Sequence, residues 1–192
     1  MHPNPHDRTF RELLQIARVC DLQNNQSLPE RLRTIIGMAD EQKRMPTAEE
    51  LASICDWSGS SSEAIQLLIS RASYYVDQSK ARLTEEHPEY FLPGGELHPQ
   101  GRAETCWRDC WNFLRVAIYA TALNIPKCTN PECIAAVRKL YTLMNVPITG
   151  MQLALSTMAS RASTELITNG HQCEANCLKA AIQHLQESLH KD

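Results

Sequence analysis

Residues 102–119 read RAETCWRDCWNFLRVAIY, and this stretch decides the fold because its apolar residues recur with the period of an α-helix. Residues three and four positions apart share one face of a helix. One such stripe is wholly apolar and is explained by core packing: Trp107, Trp111, Leu114 and Ile118. The neighbouring stripe is mixed in character: Arg102, Cys106, Asp109, Cys110 and Phe113. We therefore predict a helix with one face in a core and, beside it, a mixed face that core packing explains less readily.

The rest of the chain repeats this helical periodicity and shows no persistent alternation of apolar and polar residues. We predict an all-α fold of about eight helices, with residues 1–192 forming a single domain. The predicted helices cover roughly residues 6–22, 29–44, 47–57, 60–83, 100–123, 130–145, 149–167 and 173–189.

Capping motifs mark several helix starts, and one irregular segment interrupts the helical pattern. Thr47 with Glu50, and Ser60 with Glu63, have the spacing of a capping box, and Asn130-Pro131-Glu132 places a cap before a proline in the first turn. The segment HPEYFLPGGELHPQG, residues 87–101, holds three Pro and three Gly and cannot form a regular helix. Its apolar run, residues 90–92, is predicted to pack on the core or to cover a site.

Composition narrows the classes of protein. The chain has 192 residues, 43% of them hydrophobic and 21% charged, which is typical of a globular domain. A net charge of −3 argues against nucleic acid as a partner, since phosphate binding needs a concentrated basic face. No apolar run is long enough for a membrane span, and the start of the chain does not resemble a signal peptide. We expect a cytoplasmic protein whose eight cysteines are thiols.

The mixed face of the helix at 100–123 allows two interpretations. In the first, Cys106 is a small buried apolar residue and Asp109 is solvated or paired with Arg102. In the second, the face binds a linear tetrapyrrole, or bilin. The pyrrole N–H groups of such a ligand can converge on one carboxylate, its propionates pair with arginine, and its vinyl or ethylidene group can form a thioether with cysteine.

Three segments of the sequence resemble the phycobiliproteins, the bilin-carrying globins of the phycobilisome. They are the Cys-x-Arg-Asp tetrad at 106–109 with LRVAIYA at 114–120, the segment RKLYTLMNVP at 138–147, and the loop HPEYFLPGG at 87–95. The resemblance covers residues 85–147 most closely and the helical layout on either side more loosely. It implies a globin-like fold in which residues 1–46 form an N-terminal helical hairpin and residues 47–192 form the globin core.

The resemblance also implies roles for particular residues. Cys106 would be the thioether attachment point of a phycocyanobilin-like bilin, and Asp109 would accept hydrogen bonds from its central pyrrole N–H groups. Arg108 and Arg102 would meet the propionates, and the loop at 87–99 would lie over the chromophore. The remaining candidates for the pocket are Tyr119, Trp107 and Cys110.

Departures from the family pattern indicate a divergent member. They include Glu96 and Gly101 near the loop, the unusual Trp107, Cys110 and Trp111, and an N-terminal region that matches antenna subunits poorly. We interpret the chain as an auxiliary or bilin-handling relative, with phycobilisome-family or bilin-biosynthesis proteins as partners and a possible peripheral thylakoid location. Two alternatives are a pigment-free scaffold globin associated with bilin biosynthesis and a minor light-harvesting subunit. Homo- and hetero-oligomers are both compatible with the sequence.

Two other types of site receive weaker support. Cys106 with Cys110, and Cys173 with Cys177 near His171, could bind zinc, but their spacing is not C-x-x-C. A nucleophilic enzyme needs a base beside a thiol, and only the loop residues His87 and His98 precede Cys106 closely. We therefore expect a binding protein and not an enzyme, and we expect no metal.

Overall fold

The computed structural model describes the backbone of residues 5–190 and the side chains from Phe10 to His190. This part of the chain is all-α, as predicted, and contains no β-strand. Its eight helices are α1 (Pro5–Ile16), α2 (Glu30–Glu41), α3 (Ala48–Ser58), α4 (Ser62–Glu86), α5 (Gln100–Ala122), α6 (Pro131–Leu143), α7 (Ile148–Thr168) and α8 (Gln172–His190). Two short 3-10 turns occupy Leu22–Asn24 and Pro88–Phe91. None of the helices in residues 5–190 combines the length and the apolar character that a membrane crossing requires.

Local capping explains where several helices begin. The Thr47 side chain accepts a hydrogen bond from the Glu50 backbone at 3.3 Å, and the Glu50 carboxylate accepts one from the Thr47 backbone at 2.8 Å. This confirms the predicted capping box at the start of α3. The N-terminal cap of α4 is Ser61, one residue after the predicted Ser60. The Ser61 side chain accepts a hydrogen bond from the backbone N–H of Ala64. Asn130 caps α6 through two backbone N–H groups, as its position before proline predicts.

Helix α5 runs through the core. Each of its residues from Phe113 to Ala122 is buried, whereas its first three turns alternate between buried and exposed positions. It packs against α4, α7 and α8, and these four helices provide most of the hydrophobic core. A site on α5 must therefore lie in its N-terminal half, which is where the mixed face of the sequence falls.

The N-terminal helix packs on α6. Leu13 on α1 forms a small apolar cluster with Ala136 and Leu140 on α6, and Phe10 and Ala17 pack against that cluster. Helix α2 instead rests on the 3-10 turn at 22–24 and on α3. The described contacts of the first two helices are thus mainly with other parts of the chain, and the helical hairpin expected for residues 1–46 stays a prediction.

Helix α1 ends six residues earlier than the sequence predicted, at Ile16 instead of residue 22. Tertiary contacts explain the difference. Cys20 and Leu22 are buried in the main core, and the backbone N–H of Asp21 donates to the carbonyl of Cys128 at 2.8 Å. The chain leaves the helical path because these residues reach core positions that a continuous helix would not.

A buried polar cluster fastens α2 to α5. Arg115 is only 1% exposed, and its Nη2 donates to Asp40 Oδ1 at 2.8 Å while its Nη1 donates to Tyr119 Oη at 2.6 Å. Tyr119 in turn donates to the backbone carbonyl of Arg44 just after α2. Arg44 also forms a two-pronged ion pair with Glu50 on α3, at 2.6 and 2.8 Å. Charge inside the core is therefore paired, as its burial requires.

We expect Asp40→Ala to lower the free energy of unfolding by about 3 kcal/mol, because removing one partner of a buried ion pair leaves the other charge uncompensated. Urea denaturation followed by circular dichroism measures the change. Arg82→Gln is the matched control, since it breaks the exposed Arg82–Glu86 pair and should cost under about 0.5 kcal/mol. Similar losses in the two variants would contradict the importance of the buried pair.

Candidate functional site around Cys106 and Asp109

The N-terminal half of α5 borders a cavity of about 280 Å³. Cys106 and Asp109, one helical turn apart, form part of its α5 wall. The loop before α5 contributes Leu97 and Pro99, and the end of α6 with the residues after it contributes Tyr141 and residues 144, 146 and 147. The lining is mostly apolar, and it places a thiol and a carboxylate in the same cavity.

Asp109 is half-buried and accepts one hydrogen bond. Tyr141 Oη donates to Asp109 Oδ2 at 3.0 Å, and Oδ1 accepts none from residues whose side chains the structure describes. Burial raises the pKa of Asp109, although the hydrogen bond from Tyr141 and the charge of Arg108 act in the opposite direction. Burial, together with the neighbouring carboxylate, raises the pKa of Tyr141 well above its ordinary value, so the phenol remains a donor. Asp109 therefore offers one free oxygen to a ligand with N–H groups.

The two neighbouring thiols differ in environment. Cys106 is 6% exposed and lines the cavity, whereas Cys110 is fully buried with its Sγ 3.8 Å from Met151 Sδ. The adjacent Cys106 thiol and burial raise the pKa of Cys110 well above its ordinary value. Cys110 is thus placed in the core, away from the cavity, and Cys106 is the thiol that a ligand in the cavity can reach.

Arg102 lines the cavity but is already engaged with backbone carbonyls. Its Nε donates to Glu96 O at 2.7 Å, and its Nη2 donates to Met144 O at 2.7 Å and Asn145 O at 3.1 Å. It thereby joins the loop before α5 to the end of α6. Of the three guanidinium nitrogens, only Nη1 takes no part in these hydrogen bonds. Arg102 therefore mainly holds the two sides of the cavity together.

The loop at 87–99 covers one side of the site only in part. Phe91 stacks on Trp107 with ring centroids 6.1 Å apart, and His87 stacks on Tyr90 at 4.8 Å. Of the apolar run at 90–92, predicted to pack on the core or to cover a site, Tyr90 and Phe91 pack against the core, whereas Leu92 is 60% exposed. The carbonyl of Tyr90 accepts from the backbone of Leu97 at 2.9 Å, which folds the loop back so that residues 96–99 form the cavity wall.

The other predicted site residues lie at varying distances from this cavity. Trp107 and Arg108 border a separate shallow cleft toward α4, with Trp111. Arg108 is exposed and has no hydrogen-bond partner within the part of the chain whose side chains are described. Tyr119 belongs to the buried cluster with Arg115 and Asp40, so the structure does not bring it to the cavity. Among residues 10–190, no group of three or more His, Cys, Asp or Glu side chains could hold a metal ion.

A second cavity, of about 320 Å³, adjoins the first. The two share four lining residues: Thr105, Asp109, Tyr141 and Met144. Its other walls come from residues 14–19, from α2 and from the middle of α5. Asp109 therefore stands between two spaces, and a ligand that contacts it at its centre could extend into both.

Comparison with known proteins identifies the family. Residues 34–189 match the family model described as "Phycobilisome protein". The chain belongs to the phycobilisome protein family. This is a bilin-binding light-harvesting family whose members carry covalently attached bilins and form oligomers with other phycobiliprotein subunits. The family is of a structural and not an enzymatic type.

Similar proteins within the phycobilisome family include allophycocyanins. The allophycocyanin subunit alpha-B of Synechocystis sp. is 30% identical over 131 residues, which cover 67% of this chain and 81% of that protein. The allophycocyanin alpha-B chain of Pyropia yezoensis is 29% identical over 136 residues, covering 69% and 84% of the two chains. The allophycocyanin subunit beta-18 of Aglaothamnion neglectum is 29% identical over 86 residues, covering 45% and 50%. These levels of identity support a divergent member of the family.

The family match begins inside α2, at residue 34. Helix α1 and the segment up to residue 33 therefore lie outside it, as does most of the region that the sequence assigned to the family's hairpin. The cavity residues at 96–109 and 141–147 lie inside it. The segment before residue 34, part of which borders the second cavity, therefore lies outside the family match.

We expect Asp109→Asn to stabilise the pigment-free protein at pH 7 by about 0.5–1 kcal/mol. Burial raises the pKa of Asp109 above its ordinary 3.8, so the folded protein favours the protonated acid. The protonated Asp109 stabilises the fold at low pH, and this stabilisation is lost as the pH rises through the folded-state pKa. The amide keeps an acceptor for Tyr141 and carries no charge. The advantage of the variant in urea denaturation should therefore vanish near pH 3.

Asp109→Ala serves as the control. It leaves the buried Tyr141 hydroxyl without its acceptor and should destabilise the protein at both pH values, by about 1–3 kcal/mol. An Asp109→Asn protein that is less stable than the parent at pH 7 would show that the charged carboxylate is favoured at this position.

Proposed function

We propose that this protein binds a phycocyanobilin-like linear tetrapyrrole through Cys106 and Asp109 and acts as an auxiliary or bilin-handling member of its family. One observation carries the proposal: a reachable thiol and a half-buried carboxylate with an unoccupied oxygen line the same apolar cavity. Neither group alone would distinguish a bilin site from ordinary packing.

The residues present fit such a ligand. A bilin supplies a flat conjugated system with an electrophilic side group, convergent N–H groups and two carboxylates. The cavity at Cys106, at about 280 Å³, lies just below the range of about 300–1,000 Å³ for ligand pockets. The adjoining cavity shares Asp109, so an elongated ligand can use both.

The attachment chemistry assigned to Cys106 is an addition. The sulfur forms a bond to the exocyclic carbon of an ethylidene group, the carbon–carbon double bond is lost, and the thiol proton is delivered to the adjacent ring carbon. The step has no leaving group and needs no oxidant or reductant. Cys110 is sealed against Met151 and takes no part in it.

Asp109 is assigned the role of acceptor for the central N–H groups. Its Oδ1 is available, while Tyr141 holds Oδ2 and so fixes the orientation of the carboxylate. The burial that raises the pKa of Asp109 in the pigment-free protein also strengthens a charge-assisted hydrogen bond once a cationic ring system is present. The negative charge of Asp109 is then compensated by the cationic ligand and not by an arginine of the protein.

The proposed auxiliary role rests on the N-terminal segment that precedes the family match. Residues 1–33 fall outside the family match, and α1 packs on α6 of its own chain. We place the protein with phycobilisome-family or bilin-biosynthesis partners, at the periphery of the thylakoid membrane. The names of the similar allophycocyanins favour a second candidate function, that of a minor light-harvesting subunit. Fractionation of host cells distinguishes the auxiliary role from the light-harvesting role, because only a light-harvesting subunit must sediment with intact phycobilisomes.

Co-expression with enzymes of phycocyanobilin synthesis and a bilin lyase should yield a coloured protein. On a denaturing gel its band should fluoresce in the presence of zinc, and the fluorescence should fall to background in Cys106→Ser because the thioether can no longer form. Cys110→Ser, one turn further along α5, is the matched control and should retain the signal. A parent protein without a fluorescent band would reject covalent attachment and favour the pigment-free scaffold.

In the pigmented protein, Asp109→Asn should shift the red absorption band to shorter wavelength and reduce its intensity by about half or more, because a neutral amide stabilises the charged ring system less well. An absorption spectrum of the purified protein, scaled to bilin content in acidic urea, makes the measurement. A spectrum identical to that of the parent would remove Asp109 from this role even if Cys106 still carries pigment.

A further inference from the structure

One wall of the second cavity comes from residues that lie outside the family match. Residues Leu14, Ala17, Arg18 and Val19 line it, and all four precede residue 34, where the match begins. This segment is held firmly in place, because Leu13 packs on α6, Cys20 and Leu22 enter the core, and Asp21 is hydrogen-bonded to Cys128. One wall of the cavity beside Asp109 is therefore supplied by this chain's own N-terminal segment.

The lining of this cavity carries an excess of positive charge. Four cationic side chains face it, namely Arg18, Lys43, Arg108 and Arg115, against the two acids Asp40 and Asp109. Asp40 is already paired with Arg115 at 2.8 Å. The contact of Lys43 with the same carboxylate is longer, at 3.6 Å, and the Lys43 side chain is 58% exposed. Lys43 can therefore serve a second anion.

Arg18 and Arg108 are also available to a ligand. Both are exposed, and neither has a hydrogen-bond or ion-pair partner among the described side chains, apart from the long-range influence of Arg108 on Asp109. Buried Arg115 also lines this cavity, and its Nε has no hydrogen-bond partner among the residues described. The space thus combines an apolar interior with cationic groups that lack anions, which is the environment that the carboxylates of an amphipathic ligand require.

The shape of a linear tetrapyrrole decides which groups can meet its carboxylates. The two carboxylate arms leave the central rings on the edge opposite to the N–H groups. If Asp109 binds the N–H edge, the arms can meet Arg108, beside Asp109 on α5, and cations on the other walls of the cavity. Arg18 and Lys43 lie on such walls, whereas Arg102 is committed to three backbone carbonyls.

We propose that Arg18 and Lys43 bind the carboxylate arms of the tetrapyrrole in the second cavity, so that this chain's N-terminal segment forms one wall of the ligand site. The inference rests on the proposed bilin-binding function and extends it to residues that the family match excludes or leaves unassigned. It also gives the N-terminal segment a direct role in selecting a dicarboxylate ligand.

A double-mutant cycle between protein and ligand tests the proposal. All proteins carry Cys106→Ser, so that binding is reversible, and are titrated in visible absorption with phycocyanobilin and with its dimethyl ester. For the diacid, Arg18→Gln combined with Lys43→Gln should raise Kd about five- to tenfold, as expected for two partly exposed ion pairs. For the ester, which has no carboxylate to lose, the same change should alter Kd less than about twofold.

Arg11→Gln is the matched control, because Arg11 is exposed on α1 but does not line the cavity. It should leave both affinities within about twofold of the Cys106→Ser protein. Equal losses for diacid and ester in the double variant would show a structural effect and overturn the assignment, as would unchanged binding of the diacid. If the Cys106→Ser protein binds neither ligand while the parent also takes up no bilin on co-expression, the proposed function itself fails, and this inference with it.

Discussion

The hydrogen bond from Tyr141 to Asp109 is the interaction on which the site depends. It links α5 to α6 at 3.0 Å and fixes one oxygen of a carboxylate whose burial disfavours the charged form. A protein under selection for stability alone would gain by replacing such an acid with an amide. Retaining an acid here is understandable if the charge becomes useful when a ligand arrives, because functional sites commonly keep groups that cost stability in their absence.

The buried Arg115–Asp40 pair performs a different task further along the same helix. It ties α2 to α5, and Tyr119 extends the tie to the carbonyl of Arg44. Because Lys43 follows α2 directly, this cluster also determines where Lys43 stands relative to the second cavity. The internal ion pair and the ligand space are thus coupled through a single short segment, residues 40–44.

The sequence predicted the parts of this arrangement that are local. Helical periodicity located all eight helices, and the one-turn spacing of Cys106 and Asp109 correctly indicated that the two side chains share one face of α5. The partners Tyr141 and Arg115 could not be predicted in this way, because they act over 32 and 75 residues of chain separation, respectively. In the sequence Tyr141 is one more member of the apolar stripe of α6, and no local pattern marks the hydroxyl that reaches Asp109.

The error at the end of α1 has the same origin. The periodic pattern continues to residue 22, yet core burial of Cys20 and Leu22 ends α1 at Ile16. The packing of the apolar face of α1 on α6 is also a long-range contact that no local pattern marks. Both outcomes are set by tertiary contacts that outweigh local propensity, as is usual where a segment has several apolar surfaces within reach.

These N-terminal contacts have a consequence for how the family member diverged. Helix α1 buries its own apolar face and at the same time brings residues 17–19 to the edge of a cavity that contains Asp109. A segment added only to stabilise α6 would need the packing of Leu13 but not an exposed Arg18, without a partner among the described side chains, at the border of that space. The combination of a packed face and a cationic end therefore supports the proposal that this segment shapes a ligand site as well as the fold.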